Sequence, residues 1–204
     1  AAQWSDTLRT YAGRFLRRVP SFRSEATDVM LAAARRAGTR RFIAQSFCGW
    51  PFAREGGPVK TEEDSLDPNP PAAFSETLAA LRHLESAVQE ARDLEAIALR
   101  YGFLYGPGTG ISSQGSTVAL VRKRKIPIVG DGAGIWSFIH VGDAARATVA
   151  AVSRGRPGIY NIVDDEPAPV ATWLLMLADA VGAKPRTRCL RGWPGSRSAK
   201  VACP

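Results

Sequence analysis

The chain has 204 residues with 45% hydrophobic and 23% charged side chains, ordinary values for a folded globular protein with one real core, or one large and one small lobe. Its longest greasy stretch, 173–178, is far short of the ~20 apolar residues a membrane span needs, and the N-terminus shows no basic and apolar leader pattern, so no membrane partner and a cytoplasmic address are expected. Three scattered cysteines without a C-x-x-C and two histidines speak against a disulfide framework and a metal site, and the net charge of +8 is spread over single arginines rather than interleaved with aromatics, which speaks against a nucleic-acid partner.

In chain order, residues 24–37 read as an amphipathic helix. Ser24 is its candidate cap, Ala26, Met30, Ala33 and Ala37 form its inward stripe, and Gly38 closes it. Residues 41–45 read as a short buried strand, followed by a long loop broken by Gly56-Gly57-Pro58 and by the prolines of 68–71. Ser75 is placed as the cap of a second helix to about 91, with Leu78, Leu81, Leu84 and Val88 inward. Strands are expected at 94–99, 126–129, 136–141 and 159–163, a helix near 116–124, and another helix capped by Asp143 with Ala145, Val149 and Val152 inward. The last clear helix carries Trp173, Leu174, Leu177, Ala178 and Val181 and ends at Gly182, after which periodicity is lost and 191–204 looks like a disordered tail or an out-of-frame read-through.

Strands alternating with helices of this length predict an α/β protein with a largely parallel sheet. Such a fold prompts a search for the phosphate-cradling G-x-G-x-x-G turn. Gly106-Pro-Gly108-Thr-Gly110 fails at Ile111, and Gly130-Asp-Gly132-Ala-Gly134 fails at Ile135. The chain carries no dinucleotide fingerprint.

Four segments, in this order and spacing over about residues 24–185, resemble the extended short-chain dehydrogenase/reductases, the NAD-dependent epimerase/dehydratase family. Ala26-Thr27-Asp28-Val-Met-Leu-Ala-Ala-Ala34 with Arg41-Phe42-Ile43 is similar to that family's helix and fifth strand. Leu99-Arg100-Tyr101-Gly-Phe-Leu-Tyr105-Gly-Pro-Gly108 resembles its L-R-x-x-x-x-Y-G-P-G turn. Val129 to Asp143 resembles G-D-G-x-x-x-R-D-F-I-H-V-x-D, and Gly158-Ile-Tyr-Asn161-Ile resembles G-x-Y-N-I.

The resemblance implies the later strands of a Rossmann-type parallel sheet with a small C-terminal substrate-binding lobe. Residues 1–110 would be the second half of the Rossmann-like domain, and 111–190 mainly substrate-lobe elements interleaved with the last sheet strands. Three or four βα units belong before the strand at 41, and at ~30 residues per unit they do not fit there, so a truncated chain is expected. NAD or NADP binding is expected of an intact parent rather than of this chain alone, with Tyr101, Gly102 and Phe103 lining the nicotinamide end.

Family chemistry uses a Tyr as acid/base and a Lys four residues later. If Glu85 takes the place of the family Glu after that Lys, the two positions hold Thr77 and Leu81, and neither can do the work. Ser46 is then the one catalytic candidate, as the strand-end hydroxyl near the family's Ser/Thr. His83 is expected to be a plain surface histidine and His140 to bond within the lobe. Trp136 stands where nucleotide-sugar enzymes typically carry an Arg that pairs with the diphosphate, a contact an indole cannot make. Phe47, Trp50, Tyr105 and Trp136 are therefore expected to line a small-molecule site for an apolar or aromatic ligand, not a nucleotide sugar.

The implied function is an NAD(P)-dependent oxidoreductase or epimerase-like protein lacking the Tyr–Lys pair. The alternatives are a non-catalytic NAD(P)- or ligand-sensing module, and a truncated product without function of its own. The helices at 24–37 and 75–91 suit a homodimer by analogy.

Overall fold

A computed structural model describes residues 19–49, 51–53, 55–57, 59–70, 72–126, 128 and 131–184. Trp50, Cys189, Cys203 and the tail expected at 191–204 lie outside the described residues. The described residues divide into two compact units: 19–101 with 145–162, and 102–144 with 163–184.

The larger unit is built on a three-stranded parallel sheet. Its helix α1 (Val19–Arg36) leads into strand β1 (Arg41–Phe47); α2 (Ser75–Glu90) leads into β2 (Glu95–Tyr101). The sheet order is β1, β2, then β6 (Gly158–Ile162), so β2 is central. Centrality explains its composition: from Ala96 to Tyr101 every residue is buried, the unbroken pattern of a parallel strand covered on both faces. Leu31, Ala34, Ala44, Leu84, Val88, Leu94, Ala96 and Ala98 form the core between α1, α2 and the sheet.

The helix α1 begins at or before Val19, so Ser24 lies inside it and does not cap it. Its buried residues are Thr27, Leu31 and Ala34, one position later than the expected stripe, while Val29 and Met30 are 63% and 57% exposed. One residue is 100° of helix rotation, and a stripe of alanines and one methionine gives no strong anchor for its phase. Gly38 closes α1 as expected. At φ +63° it lets its own N–H reach Arg35 O at 3.1 Å and Thr39 N–H reach Ala34 O at 2.9 Å, the pairing of a Schellman stop.

In α2 the stripe Leu78, Leu81, Leu84 and Val88 is buried as expected. Ser75 is a helical residue rather than the cap, and its hydroxyl donates back to Ala72 O at 2.9 Å. The start of β1 is tied down by Arg41. Its guanidinium donates to Glu95 Oε2, its register partner on β2, and to Ala151 O at 2.7 Å and Arg154 O at the end of the helix Val141–Ser153.

The smaller unit holds two short ladders and two helices. Strand β3 (Phe103–Tyr105) pairs parallel with β5 (Phe138–His140), and β4 (Ile135–Trp136) pairs antiparallel with β7 (Ala168–Pro169). Helix α3 (Ser116–Arg122) and α5 (Val170–Ala180) pack over a core of Val121, Ile128, Trp173, Leu174 and Ala178. Ile126 and Ile128 are in no strand, so no β run forms through the described part of 126–129. The run expected at 136–141 is broken at Ser137, whose carbonyl takes Phe103 N–H at 2.8 Å.

Helix α4 (Val141–Ser153) starts two residues before Asp143, which therefore sits in its first turn. Ala144 and Ala151 are its buried residues, while Ala145, Val149 and Val152 face out. An alanine–valine helix is nearly apolar all round, so composition alone does not say which side turns inward. Among the described residues no helix is long and apolar enough to cross a membrane.

Candidate functional site

In open α/β sheets, ligands gather at the carboxyl ends of the parallel strands. Register brings Ser46, Arg100 and Asn161 into one row at that end, and Phe47, Tyr101 and Ile162 into the next. Ser46 is 1% exposed, and its hydroxyl donates to Glu85 Oε1 at 2.6 Å. Arg100 closes the group: Nε donates to the same oxygen at 2.8 Å and Nη2 to Glu85 Oε2 at 2.7 Å. A charge-assisted fork of this kind is what makes a buried carboxylate tolerable.

Sequence reasoning used Glu85 only to align a motif and missed its role. The signal was there: Glu85 falls in helical phase with the buried Leu78, Leu81 and Val88, and Arg100 ends an apolar strand.

The long loop after β1 is fastened over these strand ends. Phe52 and Leu66 form a bridge, and Asp67 N–H reaches Pro51 O at 2.7 Å. The Phe52 ring lies 5.4 Å from the Arg100 guanidinium, and Arg100 Nη1 donates to Glu62 O at 3.4 Å. The Glu62 carboxylate accepts Asn161 N–H at 2.7 Å. Cys48 is buried beneath, its thiol donating to Arg100 O at 3.0 Å; burial pushes that thiol up to about 12. Phe47 is half-buried at the end of β1, and Tyr101 is buried with its hydroxyl 2.6 Å from Thr148 Oγ1.

Thr77 and Leu81, the residues expected at the family's Tyr and Lys positions, lie on α2. Leu81 is 2% exposed in the helix core and Thr77 is half-buried. His83 sits on the surface with Nε2 2.8 Å from Asp28 Oδ1.

In the smaller unit, Gly102 has a packing reason to be glycine: an added Cβ would stand 2.7 Å from Ser137 O. Phe103 lies flat on Trp136, centroids 3.8 Å apart at 10°, and Trp136 leans on Trp173 at 4.8 Å. Tyr105 sits edge-on to the His140 ring at 5.2 Å. Its phenol is raised above the usual value, first by the hydrogen bond to Asp164, then by burial and by the negative charges of Asp164 and Asp143. His140 Nδ1 accepts Gly142 N–H at 3.1 Å, a bond within the lobe, which leaves the proton of a neutral ring on Nε2. The glycine-rich segment 105–116, with Leu177 and Val181, borders an open groove of about 840 Å³.

Among the described residues no group of three or more His, Cys, Asp or Glu could hold a metal ion. Among the described residues no turn after β1, β2 or β6 has the glycine-rich strand-to-helix form that cradles a pyrophosphate. The described residues thus offer nothing that fits the phosphates of a dinucleotide.

Residues 22–163 match the NAD dependent epimerase/dehydratase family. A 3-diazoavenalumate denitrifying reductase of a Streptomyces species is 43% identical over 164 residues, 80% of this chain and 53% of that protein. A dTDP-glucose 4,6-dehydratase of Streptomyces griseus is 29% identical over 160 residues, 77% of this chain and 48% of that one. The crystal structure of the Streptomyces venezuelae dTDP-glucose 4,6-dehydratase with NAD and TYD bound superposes with a TM-score of 0.68 at 23% identity, covering 88% of this chain and 54% of that one. A UDP-glucose 4-epimerase of Thermus thermophilus in complex with NAD gives 0.58 at 26% identity, covering 81% and 56%. The chain spans about half the length of the relatives it matches. On the family match, the ordered motifs and the parallel sheet together, the chain belongs to the NAD dependent epimerase/dehydratase family.

Proposed function

We propose that this chain is the later half of a protein that carries out a nicotinamide-dependent reduction of a diazo-bearing aromatic compound, with loss of N₂ and without the Tyr–Lys pair. The observation that carries the proposal is Leu81, a core leucine at 2% exposure where the family's lysine belongs, with Thr77 at the tyrosine position. A carbonyl that accepts hydride becomes an alkoxide and needs an acid beside it. An aryl diazonium starts as a cation and becomes neutral on taking hydride, so no such acid is required. In the intact parent, reduced nicotinamide would supply that hydride. The electron pair forms an N–H bond at the terminal nitrogen; the aryl diazene then loses N₂ as its hydrogen passes to the ring carbon, so that ArN₂⁺ and H⁻ become ArH and N₂. The 43% identity to a reductase named for a diazo compound supports this substrate class.

In this reading residues 1–110 are the later half of a Rossmann-type domain and 111–190 mainly substrate lobe. Tyr101, Gly102 and Phe103 line the nicotinamide end of NAD or NADP. Tyr105 and Trp136 line the arene. Ser46 is a positioning residue: its proton is held by Glu85, so it fixes the strand end instead of donating to substrate. A homodimer through α1 belongs to the same proposal, supported by the exposed Val29 and Met30. A non-catalytic dinucleotide-binding module is the second reading, favoured by the same missing pair.

The test uses the intact parent that carries the dinucleotide-binding half, mixes it with NADH or NADPH and an aryl diazonium carboxylate, and follows reduced-nicotinamide absorbance and N₂ release. Diazonium-dependent oxidation with one N₂ per dinucleotide, above the rate with heat-unfolded chain, is expected. A melt with each dinucleotide runs beside it; ligand at 100 times Kd adds about 2.7 kcal/mol, or roughly 5–11 °C of Tm. A thermal shift without turnover would favour the binding module, and neither signal would sink both.

A further inference from the structure

We infer that the end of α3 and the neighbouring face of α5 form a docking surface for an acidic segment of a partner protein, with one aliphatic side chain of that segment seated between Arg124 and Lys184. The inference is independent of the reductase reading and lies wholly within the smaller unit.

Val121, Ile126, Leu174 and Leu175 wall a narrow cleft between α3 and α5, and its charged groups are Arg124 and Lys184. Its free volume of about 10 Å³ suits one methyl-ended side chain, not a ring. Beside it Leu175 is 40% exposed and Met176 67%, an apolar ridge turned to solvent. Lys123 and Lys125 flank Arg124 and are exposed as well. Among the described residues none of these four cations is held in an ion pair, and Asp179, the acid on α5, does not line the cleft. Residues 185–204 contain no Asp or Glu, so the chain that follows Lys184 brings no counter-charge. A second copy of the surface would bring the same positive charge.

Backbone strain points the same way. Arg124 holds φ +54° in the helix stop that glycine makes without steric cost. A residue held in a strained conformation argues for a use of its side chain, and this side chain lies at the cleft. One cation at a helix C-terminus answers the helix dipole; Lys184, which follows a different helix, does not belong to that explanation. Cations around an exposed apolar ridge complement an amphipathic acidic segment. Nucleic acid is the poorer fit, because the cleft has no aromatic ring on which a base could stack.

The test is fluorescence anisotropy of a labelled helical peptide, with leucines on one face and glutamates on the flanks, titrated with the full chain. Binding that weakens with salt is expected, and the same peptide with glutamine for glutamate should not bind. Lys184→Glu should weaken binding about tenfold and Arg124→Gly about threefold; Leu175→Ser should weaken it about threefold. Arg124→Gly is the decisive variant, because it should bind the peptide less tightly while melting higher, which a merely structural arginine would not do. Peptide affinity unchanged by both Arg124→Gly and Lys184→Glu would overturn the inference. So would equal binding of the glutamine peptide, no binding by the cooperatively folded chain, or tighter binding of single-stranded DNA or phosphatidylserine vesicles than of the acidic peptide.

Discussion

Arg100 and Glu85 meet as a fork, Nε and Nη2 of one against the two carboxylate oxygens of the other at 2.8 and 2.7 Å, with side chains only 4% and 6% exposed. The pair sits on adjacent elements, α2 and β2, and holds the end of β1 through Ser46 and the loop through Glu62. Removing one partner strands the other charge in the interior. Glu85→Ala should cost about 3–5 kcal/mol, a fall of roughly 6–20 °C in Tm. The double variant Glu85→Leu with Arg100→Met should recover much of that loss. A double variant as unstable as the single would show that something other than the stranded charge is responsible.

Cys48 gives the protein an alkaline limit. Burial raises its folded-state pKa to about 12 from an ordinary 9.0. Between those values the unfolded thiol loses its proton while the folded one keeps it, so the folded state binds more protons and stability falls as pH rises. Urea midpoints should decline from about pH 9 toward 12, and Cys48→Ala should flatten the decline. At neutral pH the folded thiol should resist alkylation that proceeds readily in urea.

The Tyr105–Asp164 contact is tested by titration. Because the hydrogen bond to the carboxylate stabilises the neutral phenol, Asp164→Asn should lower the Tyr105 pKa toward its ordinary value. Tyrosinate absorbance, compared with a Tyr105→Phe control, reads the change. No movement on Asp164→Asn would assign the shift to burial instead.

Arg124 has a strained backbone, a non-glycine residue at φ +54° closing α3. Its N–H reaches Val121 O and Lys125 N–H reaches Leu120 O, both at 2.8 Å, the stop that glycine performs without steric cost. Arg124→Gly should therefore stabilise by roughly 0.5–1 kcal/mol net of the added backbone freedom, raising Tm by roughly 1–4 °C. A lower Tm would mean that the arginine side chain outweighs its backbone strain.

The sequence by itself determined the class of fold and its order: alternating periodicities marked α1, β1, α2, β2, β6 and α5, and Gly38 marked a helix stop by the conformation only glycine adopts freely. Helix phase in α1 and α4 was decided by tertiary structure, because runs of alanine and valine present similar faces in every direction until a sheet selects one. The break at Ser137 was decided there too, by a carbonyl that turns to Phe103. So was the fate of Ser46 and Glu85. A serine at a strand end and a glutamate on a helix 39 residues apart in the chain become partners only when β1 and α2 pack, and a buried charge is stable only where its counter-charge arrives from a third element.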